Sequence, residues 1–312
     1  MKNLILFACS VLIAGSTLLI SCNRDDGSDA PPKAGIFYSI ADKQVAFTSL
    51  TKRVVSWAWD FGDGESSIEP NPVHVYASGG YYTVSLTGTD AAGATAVAEV
   101  DIAVALTPYV LLTGGPTNTT GKKWKISSAH SSKDAFCLAD DNFTPVQPIG
   151  SGMLGSVGLG LGEVYDDIFI FKFNGSYVHS PQHGGAFAGL VFTSLTGKTI
   201  IKVTPTSQSF GLCYTAWTPE TGATFTLNET KDLAITTVNT AGTVTTNRTY
   251  KGVSTLTFSG TEFVGFMDFT RECILQEVTD QKMRLAMFVC TTTKAYYNKP
   301  SYAVILTFEA VP

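Results

Sequence analysis

The residues able to do chemistry fall in a few short stretches, and each stretch admits only some reactions. W-A-W-D-F-G-D-G-E-S, from Trp57 to Ser66, crowds Asp60, Asp63, two glycines and three rings into one turn. Its D-F-G would serve phosphoryl transfer only behind a glycine-rich loop, a strand lysine and an H-R-D, and none precedes it. Asp166-Asp167 offers two carboxylates. Glycoside hydrolysis wants such a pair about 5–10 Å apart, but neighbours on a strand face opposite ways. His179 and His183 are four apart on a predicted strand and turn, where a surface role competes with metal ligation. Asp140-Asp141-Asn142 could supply clustered oxygens to calcium or line a solvated loop. H-E-x-x-H, G-x-S-x-G and C-x-x-C are all absent from the sequence, which removes the common zinc and serine chemistries. Gly158–Gly162 imitates a nucleotide loop, yet no helical pattern follows it. The chain is not expected to be an enzyme, and no cofactor is expected beyond that candidate calcium.

Sugar binding asks for other groups. Exposed rings stack on the apolar faces of sugars, and nearby polar side chains fix the hydroxyls. Tyr214 and Trp217, Tyr177 with His179, and the pair Tyr296-Tyr297 are the candidates. Trp217 lies among turn residues, where it is either exposed or tucked onto the edge of a core.

The elements that must position these residues start with an export signal. Met1-Lys2-Asn3 precedes an apolar run from Leu4 to Ile20, short and broken by Gly15-Ser16. A basic start and a short apolar centre describe a secretory signal rather than a spanning helix. Leu19-Ile20-Ser21-Cys22 resembles the lipobox of bacterial lipoproteins, which implies cleavage after residue 21 and lipid on Cys22; an ordinary signal with an incidental cysteine is the alternative. Acyl chains at about 0.8 kcal/mol per buried CH₂ would then hold the body to a membrane. Asn23–Asp29, with its three aspartates, resembles the export signal of Bacteroidota-type lipoproteins, implying display on the outer membrane at the cell surface. Residues 22–34 read as a tether. The formal charge of −5 over 312 residues, with no basic stripe, gives no reason to expect nucleic acid.

From residue 35 to 105 short alternating strands recur between Gly-rich turns, suggesting a small immunoglobulin-like sandwich. Trp59-Asp60-Phe61-Gly62-Asp63-Gly64, then Pro72–Tyr76, then Gly80–Leu86 resemble the PKD domain family in order and spacing. In that family the W-D-F-G-D-G stretch shapes a turn, so the resemblance implies scaffolding rather than catalysis at Asp60 and Asp63. It also implies a spacer or weak binding module on an extracellular protein.

Residues 106–312 carry nine strand-like runs, among them Asp167–Phe173, Thr199–Thr204, Phe263–Phe269, Met283–Val289 and Tyr302–Phe308. That density fits an all-β second domain, a β-sandwich or jelly roll. Leu111–Gly115, Lys122–Ile126 and Val164–Tyr177 resemble a region found beside PKD domains in Bacteroidota lipoproteins of polysaccharide-uptake systems. The resemblance implies a carbohydrate-binding protein that captures polysaccharide, a laminarin-like β-glucan first, for a SusC/SusD-type partner. A hydrolase with an unrecognised carboxylate pair and a protein-binding adhesin are the rivals.

Cys137, Cys213, Cys273 and Cys290 remain after the signal and lipid cysteines, in an export setting where disulfides persist. With Gln281 and Lys282 as loop residues of a hairpin, Cys273 faces Cys290, leaving Cys137 with Cys213; a shift of one residue in register breaks that pairing.

Overall fold

The computed structural model describes residues 30–155, 158–293 and 295–312. The expected signal segment, Cys22 and the tether up to residue 29 lie outside the described residues. The protein is all-β, as the alternating patterns require, and its two cores share no residue.

The first core closes between two small antiparallel sheets. One holds β1 (Ile36–Ala41), β2 (Gln44–Ser49) and β5 (Val73–Val75). The other runs β4 (Ser66–Ser67), β3 (Ser56–Asp60), β6 (Gly80–Thr89), β7 (Thr95–Val104). Period-2 alternation decides the inner face: on β6, Tyr82, Val84 and Leu86 point inward and meet Val45, Phe47, Trp59 and Phe61.

A connecting helix, α1 (Pro108–Thr113), starts at Thr107, whose side chain accepts from Val110 N, and stops at Gly114 in the left-handed conformation. These are the expected start and stop signals of a helix. Beyond it the second region builds two unequal layers. Strands β16 (Phe225–Val238), β17 (Thr245–Phe258), β18 (Cys273–Val278), β19 (Lys282–Val289) and β20 (Tyr302–Val311) form a meander. The sheet continues through β8 (Lys122–Ile126), β11 (Ile168–Phe171) and β12 (Tyr177–Ser180). Strand β9 (Ala135–Leu138) lies end to end with β8 along β20 and carries β10 (Pro145–Pro148) outside it. The last strand of the chain thus pairs with the first strand of its domain, closing the unit.

The smaller layer is the sheet β13 (Gly185–Gly189), β15 (Leu212–Ala216), β14 (Ile200–Lys202), with α2 (Leu190–Leu195) and α3 (Pro205–Ser209) beside it. Phe187, Leu212 and Tyr214 from this layer meet Met283, Leu285, Met287, Val304, Leu306 and Phe308 from the large sheet. The opposite face of the large sheet buries Ala286, Phe288 and Ile305 under Leu233 and Tyr250. Both faces being covered explains why Leu285–Val289 of β19 and Tyr302–Leu306 of β20 read as unbroken apolar runs.

Two sequence expectations need correction. Phe263–Phe269 is not a strand but a buried loop, with residues 262–268 all sequestered. Gly265 sits there at φ +69°, and a Cβ on it would lie 2.5 Å from the Phe308 ring; that geometry belongs to glycine and breaks strand pairing. The hairpin register also differs. Asp280 and Gln281 are the loop residues, Val278 faces Met283, and a bulge between Leu275 and Glu277 puts Ile274 opposite Ala286. Cys290 therefore lies four residues beyond the partner of Ile274, and all four cysteines are free and buried. Cys137 and Cys213 sit in different apolar clusters, so they do not pair either. Burial pushes the Cys273 thiol up to about 12, leaving it protonated and unreactive.

The domains meet at one polar joint. Tyr81 donates to Asp280 Oδ1 at 2.9 Å, Thr117 donates to the Tyr81 carbonyl, and Lys122 reaches Asp280 at 3.1 Å. Burial alone would raise the Asp280 carboxyl, but hydrogen bonds from Lys122 and Tyr81 outweigh it and hold it low.

Candidate functional site

The W-D-F-G-D-G turn is occupied by its own hydrogen bonds. Asp60 Oδ1 accepts from Gly62 N at 2.9 Å, and Asp63 Oδ1 accepts from Glu65 N at 3.0 Å. The other Asp63 oxygen is 2.7 Å from His74 Nε2. Gly62 is obligatory: φ is +78°, and a Cβ would stand 2.5 Å from the Thr83 carbonyl. The His74 ring stacks on Phe61 with centroids 4.2 Å apart, and Tyr76 donates to the Phe61 carbonyl. Both carboxylates are spent on shaping a turn.

Four of the candidate sugar-binding residues converge, but underground. Tyr177 donates to the Phe263 carbonyl, while the His179 and Trp217 rings pack at 5.2 and 5.3 Å from the Phe263 ring. Tyr214 is wholly buried, Tyr177 and His179 nearly so, and Trp217 is only 8% exposed, with Lys198 lying 4.5 Å above its ring. Alternation on β12 turns Tyr177 and His179 inward, and β15 is buried on both faces around Tyr214, so these rings present no platform. Trp217 takes the core-edge position, the alternative to exposure. Asp167 stands 3.9 Å from His179, and both are buried. His179 Nδ1, the Trp217 indole N–H and Glu262 Oε2 lack hydrogen-bond partners. Burial raises the Glu262 carboxyl despite the hydrogen bond it accepts from Glu220 N.

Tyr296 and Tyr297 are exposed, Tyr297 packing at 5.5 Å on Phe269, which in turn packs against the cluster holding Trp217 and Phe263. Asp140 accepts from Asn142 N and Thr144 N, closing a loop, and Asp141 pairs with Arg248 at 2.9 Å. One oxygen of each is thus engaged, and among the described residues no group of three or more His, Cys, Asp and Glu is placed to hold a metal. His183 pairs with Asp166 at the surface.

The open concavity lies elsewhere, at the end of the sandwich where β19 finishes and β20 begins. A cavity of about 410 Å³ is lined by Phe136, Phe210, Tyr302, Gln147, Gln208 and Thr291, with Thr240 on its rim. Phe210 is placed by α3, which Thr204 caps through a reciprocal bond with Ser207 and Pro205 opens. Phe210 follows α3 directly, half-buried against Phe136 with centroids 5.1 Å apart. Gln147 comes from the exposed strand β10 and Gln208 from the exposed side of α3. Thr240 rides the turn between β16 and β17, a loop pinned by Asn239 Oδ1 accepting from Thr243 N and Val244 N. On the far side of Thr240 a second cavity of about 410 Å³ is lined by Asp140, Arg248, Asn239, Thr237 and Ser301. Ring faces beside amides and hydroxyls are the groups that hold small polar ligands.

Sequence reasoning passed over Phe136, Phe210, Tyr302 and both glutamines. The T-P-T-S-Q-S-F-G stretch, Thr204–Gly211, carried a readable helix start and stop that would have marked Phe210 as a ring on a turn.

The family model for the PKD domain matches residues 38–104. This segment is a PKD domain. Within the PKD domain and its flanks, 89 residues are 35% identical to collagenase ColQ1 of Bacillus cereus (strain Q1), covering 26% of this chain and 9% of the collagenase. The chain thus spans under a tenth of the length of that relative. The PKD1 domain of Vibrio anguillarum Epp is 34% identical over 25% of this chain and 98% of its own, with a TM-score of 0.24. A carbohydrate-binding module of the β-sandwich superfamily aligns with 91% of this chain and 92% of its own at 13% identity and a TM-score of 0.26.

Proposed function

We propose that the protein captures extracellular polysaccharide without cleaving it, in the cleft beside Phe210. Lipid on Cys22 holds it to the outer membrane at the cell surface, the PKD domain acts as a spacer, and the glycan passes to a SusC/SusD-type uptake complex. The observation that carries this reading is the cleft itself: half-buried Phe210 and Tyr302 offer ring faces, and Gln147, Gln208 and Thr291 offer amides and a hydroxyl beside them. Those groups bind sugars without supplying an acid and a base. Laminarin-like β-glucan is the first glycan to try, and no cofactor takes part.

A hydrolase is the second reading, favoured by one observation: Glu262, whose carboxyl burial raises, lies near His179, itself 3.9 Å from Asp167. A raised carboxyl is what a general acid for glycosides needs, but this one is buried, out of reach of a glycan.

Affinity electrophoresis of the lipid-free body through soluble glycans, followed by overnight incubation and a reducing-end assay, separates the readings. Retardation without new ends is the expected result. New ends would make the protein an enzyme, and no retardation by any glycan would leave the adhesin.

A further inference from the structure

The two cavities at the sandwich end are not independent. Thr240 lines both, and Ser301 and Tyr302, neighbours on the chain, line one each. Each cavity measures about 410 Å³, within the range of roughly 300–1,000 Å³ that accepts one small-molecule-sized ligand. A ligand longer than one cavity can therefore run from one into the other past the exposed Thr240, the residue that the two linings share.

The charges around the trough are also informative. The Phe210 cavity has no charged side chain among the described residues that line it. In the second cavity Arg248 is tied to Asp141 at 2.9 Å and donates through Nε to Thr237 at 3.1 Å. Burial would raise the Asp140 carboxyl, but hydrogen bonds from Thr144 and Asn142 and the Arg248 charge hold it low. The lining thus holds one carboxylate, Asp140, and one cation, Arg248, whose charge is already engaged by Asp141 outside it, so no unpaired charge is offered to an anionic ligand.

We infer that the cleft grips an uncharged glycan chain across two subsites, one on either side of Thr240. This inference rests on the glycan reading above and adds its length and charge selectivity. Joining two subsites through one ligand converts the second contact into an intramolecular one, so affinity climbs steeply once the ligand spans both. Arg248 here positions Thr237 and Asp141 and does not select acidic sugars.

The test is titration of the purified full-length chain with a neutral oligosaccharide series of the best-retarded glycan, and with a uronate polymer. A tetrasaccharide is expected to bind about tenfold or more tighter than the disaccharide, as for linked sites, and the uronate polymer is expected not to bind. Thr240→Met enlarges that shared, exposed side chain without adding a ring or a charge. It is expected to close the gap in affinity between the tetrasaccharide and the disaccharide to less than about threefold, because only the longer ligand has a second contact to lose. Equal binding of both oligosaccharides, with Thr240→Met silent, overturns the two-subsite inference and leaves a single glycan pocket. Tight binding of the uronate polymer overturns the charge selectivity. Failure of every saccharide to bind overturns the glycan reading itself.

Discussion

In the PKD domain the Trp59 indole donates to the Glu69 carbonyl, Tyr76 to Phe61 and Tyr82 to Ser78, bonds that reach 10, 15 and 4 residues along the chain. In the C-terminal sandwich the Trp217 indole N–H, the Tyr250 hydroxyl and His179 Nδ1 are buried with no hydrogen-bond partner, and among the described residues every buried side-chain nitrogen or oxygen so left lies between Glu163 and Arg271. Buried polar groups cost roughly 1–3 kcal/mol when left unmade. A small domain with a thin core has little margin for that cost, so its polar residues are spent on holding the turns. The sandwich, with covered layers on both faces of its large sheet, tolerates strain inside and keeps its concavity outside, at the sheet ends.

The largest effect that tests this contrast is Trp59→Ala, expected to cost the PKD domain about 3–5 kcal/mol. Scanning calorimetry should show the PKD transition lost or lowered while the sandwich transition stays. If both moved together, the two cores would not be separate.

Next comes Asp268, fully buried, accepting from Cys290 N and Phe269 N, with its carboxyl pushed by burial from 3.8 to about 7. The folded state therefore keeps a proton that the unfolded chain releases, and stability falls as pH rises from about 4 to about 7. At about 1.4 kcal/mol per unit of pKa the loss is on the order of 4 kcal/mol. Urea melts of the sandwich against pH should show it, and Asp268→Asn should flatten the slope. A sandwich growing steadily more stable from pH 4 to 7 would contradict the assignment. Asp134 acts in the opposite sense: hydrogen bonds from His130, Ser131 and Thr307 overcome burial and lower it, so its contribution disappears as pH falls through its folded value.

Asp63→Ala, which strands the buried His74 ring, should cost the PKD domain about 1–3 kcal/mol and leave glycan retardation unchanged. A loss of retardation would give that turn a role in binding. The smallest effect is at the joint. Tyr81→Phe removes the bond to Asp280 and is expected to cost about 0.5–1.5 kcal/mol, read as a wider gap between the two calorimetric transitions.

The PKD domain was legible because its determinants are local: Gly62, Asp63 and His74 lie within 13 residues and each does its work there. The all-β character of the second region was legible from alternation. Its site was not. Phe136, Gln147, Gln208, Thr240 and Tyr302 come from five separate segments that only sheet topology brings together. Trp217 and Tyr214 misled because a ring near a turn looks the same in sequence whether it faces out or, as here, lies under Lys198 and against Phe263. The cysteine pairing failed on two local shifts, a turn centred on Asp280 and Gln281 and a bulge at Leu275–Glu277; no pattern of side chains announces the bulge.

The central claim is that sugar is held at the sandwich end and not by the buried rings. Isothermal titration of the best-retarded glycan into the wild-type chain and into Gln147→Ala/Gln208→Ala tests it most directly, because both glutamines are exposed and their loss leaves the cores intact. At about 0.5–1.5 kcal/mol for each hydrogen bond lost, binding is expected to weaken about tenfold or more with the melting temperature unchanged. Undiminished binding by the double variant would place the sugar elsewhere and contradict the account.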